Sequence, residues 1–526
     1  MAKSNNPKQV KHSSKKGDTY PHSSSDKTDF IGDKKDLVKH SGQVFTPSFL
    51  VQNILDTCHY TGSDILQKHI IDNSCGDGAF LCEIVERYCS IYLHTGTDRH
   101  VLKSHLEQYI HGIELEHEAY ENCLYNLNLI VYKYQVEGVQ WDVLHQDALT
   151  ITRFDGAMDF VVGNPPYVRV HNLNTQYQNV KRFHFANAGM TDIYLVFFEI
   201  GFRMLNSKGR LCYITPSSWL NSVAATNMRA YILEKKTLHT LVGLGHYQPF
   251  AGATTYTLIS CFDKTHTSGV IDYYTYNEQK HIPHHRQQLH LEDISIEDKF
   301  YLAAKQELQT LKQIRSTTIR KWCIVKNGFA TLADNVFIGD LPFSEYTIPI
   351  LKASTGKWSR AFFPYDKNGK PIFKDILFRN VAIQTYMEVQ KATLLKGKSE
   401  ATNPEWYLYG RTQALKDVYT DKIAINTIIK DLDSIRLEPV PAGGGVYSGL
   451  YMLTNVPFPI LEKLIKSDCF IHYVHSLKCY KSGGYYTFNS KDLEKYINYQ
   501  IGNYADTTNL IPIEQSRLSR CSGTLF

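Results

Sequence analysis

Apolar and polar positions divide this chain into three stretches. Residues 1 to about 40 mix Lys, Ser, Asp and His with almost no apolar periodicity, which predicts a disordered basic tail. From about 42 to 262, short apolar runs alternate with segments whose apolar positions recur at three and four. The strand candidates are Lys68–Ile71, Tyr109–Ile113, Phe160–Val162, Arg210–Ile214, Leu238–Val242 and Tyr256–Phe262, and Asp192 to Leu205 is a helix candidate. Such alternation predicts an α/β fold, a Rossmann-like doubly wound parallel sheet with ligands at the C-terminal strand ends. Residues 263 to about 315 are charged and His-rich and mark a domain boundary, set at 300. The expected units are 1–40, 41–300 and 301–526, the last an α+β domain rich in Tyr and Lys without a repeat.

Composition narrows the class. At 526 residues the chain is too long for one core, and 43% hydrophobic with 21% charged residues is ordinary for a globular protein. No apolar run approaches the ~18 residues that cross a membrane, and the polar start lacks a signal-peptide core, so no membrane partner is expected. Eleven cysteines without CxxC pairs give neither a zinc pattern nor a disulfide framework. The expectation is no metal and a reducing cytoplasm. With a net charge of only +5, any nucleic-acid binding must come from locally clustered charge.

The chemistry gathers at predicted strand ends. Asn164-Pro165-Pro166-Tyr167 closes the run Met158–Gly163. The Asn164 amide oxygen and the Pro165 carbonyl both accept hydrogen bonds, and the prolines aim them in advance, as gripping a planar amino group requires. Tyr167 offers a face for a heterocycle. A plain Pro-Pro turn after a strand has the same composition. Upstream, Asp72-Asn73-Ser74-Cys75-Gly76-Asp77-Gly78 joins the first strand to a helix, where glycines let the backbone approach a ligand. Glu114 ends the next strand, where an acid chelates ribose hydroxyls, and Asp147 follows a later turn, able to accept from an adenine amino group. Neither a Walker lysine nor a third glycine follows, so S-adenosyl-L-methionine is the adenosine-containing cofactor that remains.

In order, Gly42-Gln43-Val44-Phe45-Thr46-Pro47, the glycine turn, Glu114, Asp147 and Asn164–Tyr167 resemble the gamma-class N6-adenine DNA methyltransferases of type II restriction–modification systems. The resemblance continues through Thr191-Asp192-Ile193-Tyr194, Gly209–Pro216 and Thr254-Thr255-Tyr256-Thr257. More loosely, Asn327–Thr331, Trp406–Gln413 and Gly483–Tyr486 are similar to elements of that family's C-terminal target-recognition domain. It implies that 41–300 is the catalytic domain and 301–526 reads DNA. It further implies that Thr46 and backbone groups of Asp72, Asn73, Ser74 and Cys75 hold the methionine end, Glu114 the ribose and Asp147 the adenine. Asn164 would bridge cofactor and target base. Two departures stand out: Asn73 replaces a usual proline, and the long gap from Asp72 to Glu114 implies an inserted helical segment around Cys89–Leu106.

The resemblance implies methylation of a flipped adenine in double-stranded DNA, with Tyr167 and Tyr256 stacking on the base and Val44 walling its pocket. Tyr256, on a strand, has core as its lesser alternative, and Val44 reads equally as a core valine. Arg169, Lys181, Arg182 and His184, with Tyr177 and Phe183 interleaved, could line a DNA cleft or form a solvated loop. Arg411, Lys478 and Lys481 are candidate phosphate contacts. A monomer on DNA is expected, with a separate cognate restriction endonuclease, because about forty polar residues leave no room for an N-terminal nuclease. Rival readings are an N-methyltransferase of RNA or a protein amide, and an inactive DNA-binding protein on a methylase fold.

Overall fold

The structure, a computed structural model, describes residues 46–169, 180–189, 191–250, 255–316 and 320–503. The expected tail, Gly42–Phe45 with Val44, Tyr177 and Thr254 lie outside the described residues.

Nine strands form one sheet in the order β3-β2-β1-β4-β5-β7-β6-β8-β9. They are β1 (Ile70–Asp72), β2 (Ile110–Glu114), β3 (Asp142–His145), β4 (Met158–Gly163), β5 (Leu205–Pro216), β6 (Leu238–Gly243), β7 (Thr257–Asp263), β8 (Val270–Asn277) and β9 (Ile282–His290). Each apolar run is buried on both faces because neighbours along a strand point oppositely. Ile70, Val162 and Cys212 enter one core while Ile71, Val161 and Leu211 enter the other. The helices Ser48–Thr57, Ala79–Thr95 and His117–Lys133 cover the first face; Ile193–Met204 and Thr226–Lys235 cover the second.

Two expectations need correction. The sheet is mixed rather than wholly parallel: β7 runs antiparallel to both β5 and β6, and β9 antiparallel to β8. The charged, His-rich stretch is no boundary at its start, because β8 and β9 carry the sheet on to His290. In β8 Asp272 lies between the buried Ile271 and Tyr273, and in β9 buried Leu289 lies between exposed Gln288 and His290, so charge and imidazole take outward positions of true strands. The long gap after Asp72 is filled by the helices Ala79–Thr95 and Arg99–Tyr109.

Strand order reverses at β1: the chain steps to β2 and β3 on one side, then returns to place β4 on the other. Ligands bind at such a switch point, at the C-terminal strand ends.

Beyond residue 300 the chain folds into two four-stranded sheets and helices that include Lys305–Ser316, Phe458–Ile465, Asp468–Ser476 and Ser490–Gly502. The apolar core on the second face runs without a break from the sheet through Phe300 and Leu311 to Ile497 and Ile501. Buried Arg315 donates within this region to Asp492 at 2.8 Å and back to Glu297, just before it, at 3.0 Å.

Candidate active site

At the switch point, Asp72 and Asn164 leave adjacent parallel strands, with Asp72 registered on Val162. Gly163 has φ +152, and a Cβ there would lie 2.7 Å from Asp72 Oδ1. Only glycine lets the carboxylate sit against this strand end. Asp72 Oδ1 accepts from Ser74 N at 3.0 Å. Burial, opposed by that Ser74 N–H and reinforced by the Glu114 charge, raises the Asp72 pKa to about 7.

Asp72 binds its proton more tightly folded than unfolded, so its contribution to stability is full below the unfolded pKa of 3.8 and declines as pH rises to about 7. Asp72→Asn keeps the acceptor for Ser74 and removes the charge. The cofactor-free variant should unfold at higher temperature than wild type above pH 7 and converge with it near pH 4, read from melting curves across that range.

The glycine turn is shaped by what lies beneath it. Gly78, at φ +90, precedes the helix Ala79–Thr95, and a Cβ there would meet Cys123 Sγ at 2.8 Å. Cys75 N donates to Ile113 O at 3.0 Å and Gly76 N to Glu114 Oε2 at 2.8 Å, so the turn is fastened to the end of β2. The second Glu114 oxygen accepts from Glu116 N at 2.8 Å. Gln146 N donates to Glu114 O at 3.0 Å, placing Asp147 beside it, and Asp147 Oδ1 accepts from Leu149 N at 3.0 Å. Thus the loop and both downstream acids meet on one edge of the sheet.

Side chains in the turn face different ways. The Cys75 thiol is buried; its hydrogen bond to Cys123 and that burial push its pKa well above the usual range. Asn73, also buried, accepts from Tyr213 OH at 2.9 Å through Oδ1 and so anchors the turn to β5. An amide at the usual proline position therefore gains a structural bond inside the core. Ser74 Oγ is shut from solvent with no hydrogen-bond partner among the described residues. An orphaned hydroxyl beside a glycine turn and two strand-end acids suits a polar ligand with an amino acid end and a ribose, as S-adenosylmethionine has.

The tetrapeptide is clamped from both sides. Asn164 Nδ2 donates to Thr46 Oγ1 at 3.1 Å across 118 residues of chain. Tyr167 OH lies 2.5 Å from Asn164 Oδ1 and 3.1 Å from Ile214 O and donates toward both. The amide plane is thereby set from both of its ends. Pro165 is buried, and Pro166 is partly so. The Tyr167 ring meets Tyr194 and Phe250 edge to face, each at 6.4 Å, and its burial raises the phenol pKa well above the usual value.

Tyr256 precedes β7 and its carbonyl accepts from Ser217 N at 2.9 Å, just beyond β5. Tyr167 and Tyr256 therefore flank the same strand end from opposite sides. Sequence reasoning missed the rings gathered on Tyr256: Tyr480 at 5.6 Å and His246 at 6.2 Å. Nothing local to Tyr480 or His246 signals this; only the fold joins them. Phe250 against Tyr167 was likewise missed.

The basic candidates separate. Arg182 folds back to donate to Leu149 O and packs over Phe183 at 5.1 Å, so its guanidinium is engaged within its own domain. Arg169 bridges to Asp192 and its guanidinium lies 4.0 Å from that carboxylate. Lys181 and His184 are exposed on the same segment. Arg411 is exposed beside the small aromatic core of Trp406, Tyr407 and Tyr409. Lys478 and Lys481 instead stand on the cavity that Tyr256 lines. No helix among the described residues is long and apolar enough to cross a membrane.

Comparison with known proteins adds to this geometry. Residues 82–250 match the family Eco57I restriction-modification methylase. The type II methyltransferase M.BstVI of Geobacillus stearothermophilus is 28% identical over 229 residues, covering 41% of this chain and 40% of its own. The type II restriction enzyme and methyltransferase RM.Eco57I of Escherichia coli is 23% identical, over 79% of this chain and 52% of its own. The chain spans about half or less of the length of these curated relatives. The solved structure of the type IIL restriction-modification enzyme MmeI in complex with DNA aligns with a TM-score of 0.58 at 14% identity, covering 88% of this chain and 64% of that one. At that identity it shows a shared fold. Residues 82–250 therefore match the Eco57I restriction-modification methylase domain, on a mixed α/β sheet whose fold the MmeI structure shares.

Proposed function

We propose that this protein transfers a methyl group from S-adenosylmethionine to the N6 amino group of a specific adenine in double-stranded DNA. The observation that carries the reading is the hydrogen-bond chain Thr46–Asn164–Tyr167–Ile214 at the switch point, beside Asp72 and Glu114. S-adenosylmethionine supplies an electrophilic methyl group when bound. Thr46, Ser74 and the turn backbone would hold its amino acid end, Glu114 the ribose and Asp147 the adenine. The chain's own task is to orient an amino nitrogen whose lone pair is delocalised into a ring. Asn164 Oδ1 and the Pro165 carbonyl accept its two hydrogens, which localises the lone pair toward the donor and needs no covalent enzyme intermediate.

A paired adenine cannot reach Asn164, so the base must leave the helix at a cost of a few kcal/mol. Tyr167 and Tyr256, on either side of the β5 end, offset part of this by stacking. Residues 301–526 serve as the target-recognition region and the protein acts as a monomer on DNA, paired with a separate restriction endonuclease. Two observations support DNA as substrate: the methylase relatives and the DNA-bound fold neighbour.

Purified protein should transfer tritiated methyl groups from S-adenosylmethionine to methyl-free plasmid DNA and not to RNA or protein. Hydrolysed product should contain N6-methyladenine. N4-methylcytosine there, or label in RNA or protein alone, rejects the reading. Long-read methylation profiling then yields the target sequence.

A further inference from the structure

A second cavity of about 290 Å³ lies one strand beyond the tetrapeptide, between the sheet and the C-terminal region. Neither Asn164 nor Tyr167 lines it; Tyr256 does. Its far wall is the hairpin in which Tyr480–Lys481 pairs with Tyr485–Thr487. Gly483 and Gly484, at φ +76 and +80, make the tight turn. That turn sets Tyr480 directly opposite Tyr486, ring to ring at 5.5 Å.

Both tyrosines close on His246 at 4.8 Å, and Tyr480 also meets Tyr256 at 5.6 Å. The hairpin is thus seated on the catalytic sheet through aromatic faces. His246 ring nitrogens are shut from solvent beside the Lys481 backbone, without a well-aligned hydrogen bond.

The lining combines three chemistries. Ser217 and Asn221 bring hydrogen-bonding groups, Tyr256 and Tyr480 bring aromatic surface, and Lys478 and Lys481 bring positive charge at the mouth. Leu258 and Phe300 give an apolar floor. Lys478 follows the helix Asp468–Ser476 with φ +54, a place a cation also suits structurally. That accounts for one lysine; Lys481, exposed on the hairpin, has no such role. Aromatic faces with flanking cations are what a stacked base and its phosphate require.

We propose that this cavity is a second nucleotide subsite, which takes a base neighbouring the flipped adenine on Tyr480 and its phosphate at Lys478 and Lys481. It rests on the DNA-methylation reading. Because Tyr256 belongs to both sites, occupation of the subsite would position Tyr256 for the target base and couple the C-terminal region to catalysis.

The test uses full-length protein and a duplex that the wild type methylates, with S-adenosylhomocysteine for DNA affinity and S-adenosylmethionine for turnover. Lys478→Ala/Lys481→Ala should flatten the log–log dependence of DNA affinity on salt by about 2, close to 0.9 per lost phosphate contact. Tyr480→Ala should raise KM for DNA by about tenfold or more, and Tyr480→Phe should restore it. Cofactor affinity and melting temperature report whether each variant is folded. An unchanged salt slope, a wild-type KM in Tyr480→Ala, or a Phe variant as impaired as Ala overturns the subsite. Wild-type protein that methylates no DNA fails the earlier reading instead.

Discussion

Asn164→Ala should reduce methyl transfer by about a thousandfold or more, while S-adenosylmethionine still binds within a few-fold of wild type. The magnitude follows from removing one preorganised hydrogen-bonding group aimed at a reacting centre, which typically costs about 10²–10³ in rate. Here the loss is compounded. Asn164 is where Thr46 and Tyr167 both meet, at 3.1 and 2.5 Å, so truncation also leaves the Tyr167 hydroxyl to Ile214 O alone. Single-turnover transfer and calorimetric cofactor binding separate the two effects. Normal turnover would sink the role of Asn164. A parallel collapse of cofactor binding would instead make it a structural link to Thr46.

Glu114→Gln should weaken S-adenosylmethionine binding about a hundredfold, on the order of 3 kcal/mol. The conservative shape is deceptive. Each Glu114 oxygen accepts from a backbone N–H, of Gly76 on one side and Glu116 on the other. A glutamine amide must turn its NH2 toward one of those donors, leaving a buried N–H unpaired and loosening either the glycine turn or the start of the helix His117–Lys133. The ribose acceptor is lost at the same time. Equilibrium binding of the cofactor measures the effect, and near-native affinity in the variant rules out a ribose role for Glu114.

Both residues were legible because they close apolar runs. A strand buried on both faces reads as an uninterrupted hydrophobic segment, and the first polar residue after it stands at a C-terminal strand end. Asp72, Glu114 and Asn164 are legible in this way, and they stand at the C-terminal ends of three adjacent parallel strands. The course of β7 was not legible. Every residue of β7 is buried, and such a pattern is the same whether a strand runs parallel or antiparallel to its neighbours. The start of 263–315 reads as a boundary for a related reason: Asp272, His284 and His290 on outward positions mask two strands of the same sheet.

Individual basic residues divided along the same line. Arg182 reads as a free cation in sequence, yet its guanidinium meets a carbonyl of its own domain. Lys478 and Lys481 gain meaning only from the hairpin that carries them to Tyr256. Asn73, a departure from the family pattern, is explained by Tyr213, a partner 140 residues away.

By itself, then, the sequence determined the class of sheet-forming segments, the acids and amide at their ends, and the order of motifs that resembles adenine methyltransferases. These depend on local periodicity and on which residue follows an apolar run, and both are written along the chain. Only the tertiary structure decided the mixed sheet, the Thr46–Asn164–Tyr167 clamp and the meeting of Tyr256 with Tyr480. Each depends on which distant segments the two apolar cores bring into contact, and burial is blind to a partner's identity or direction until the chain has closed around it.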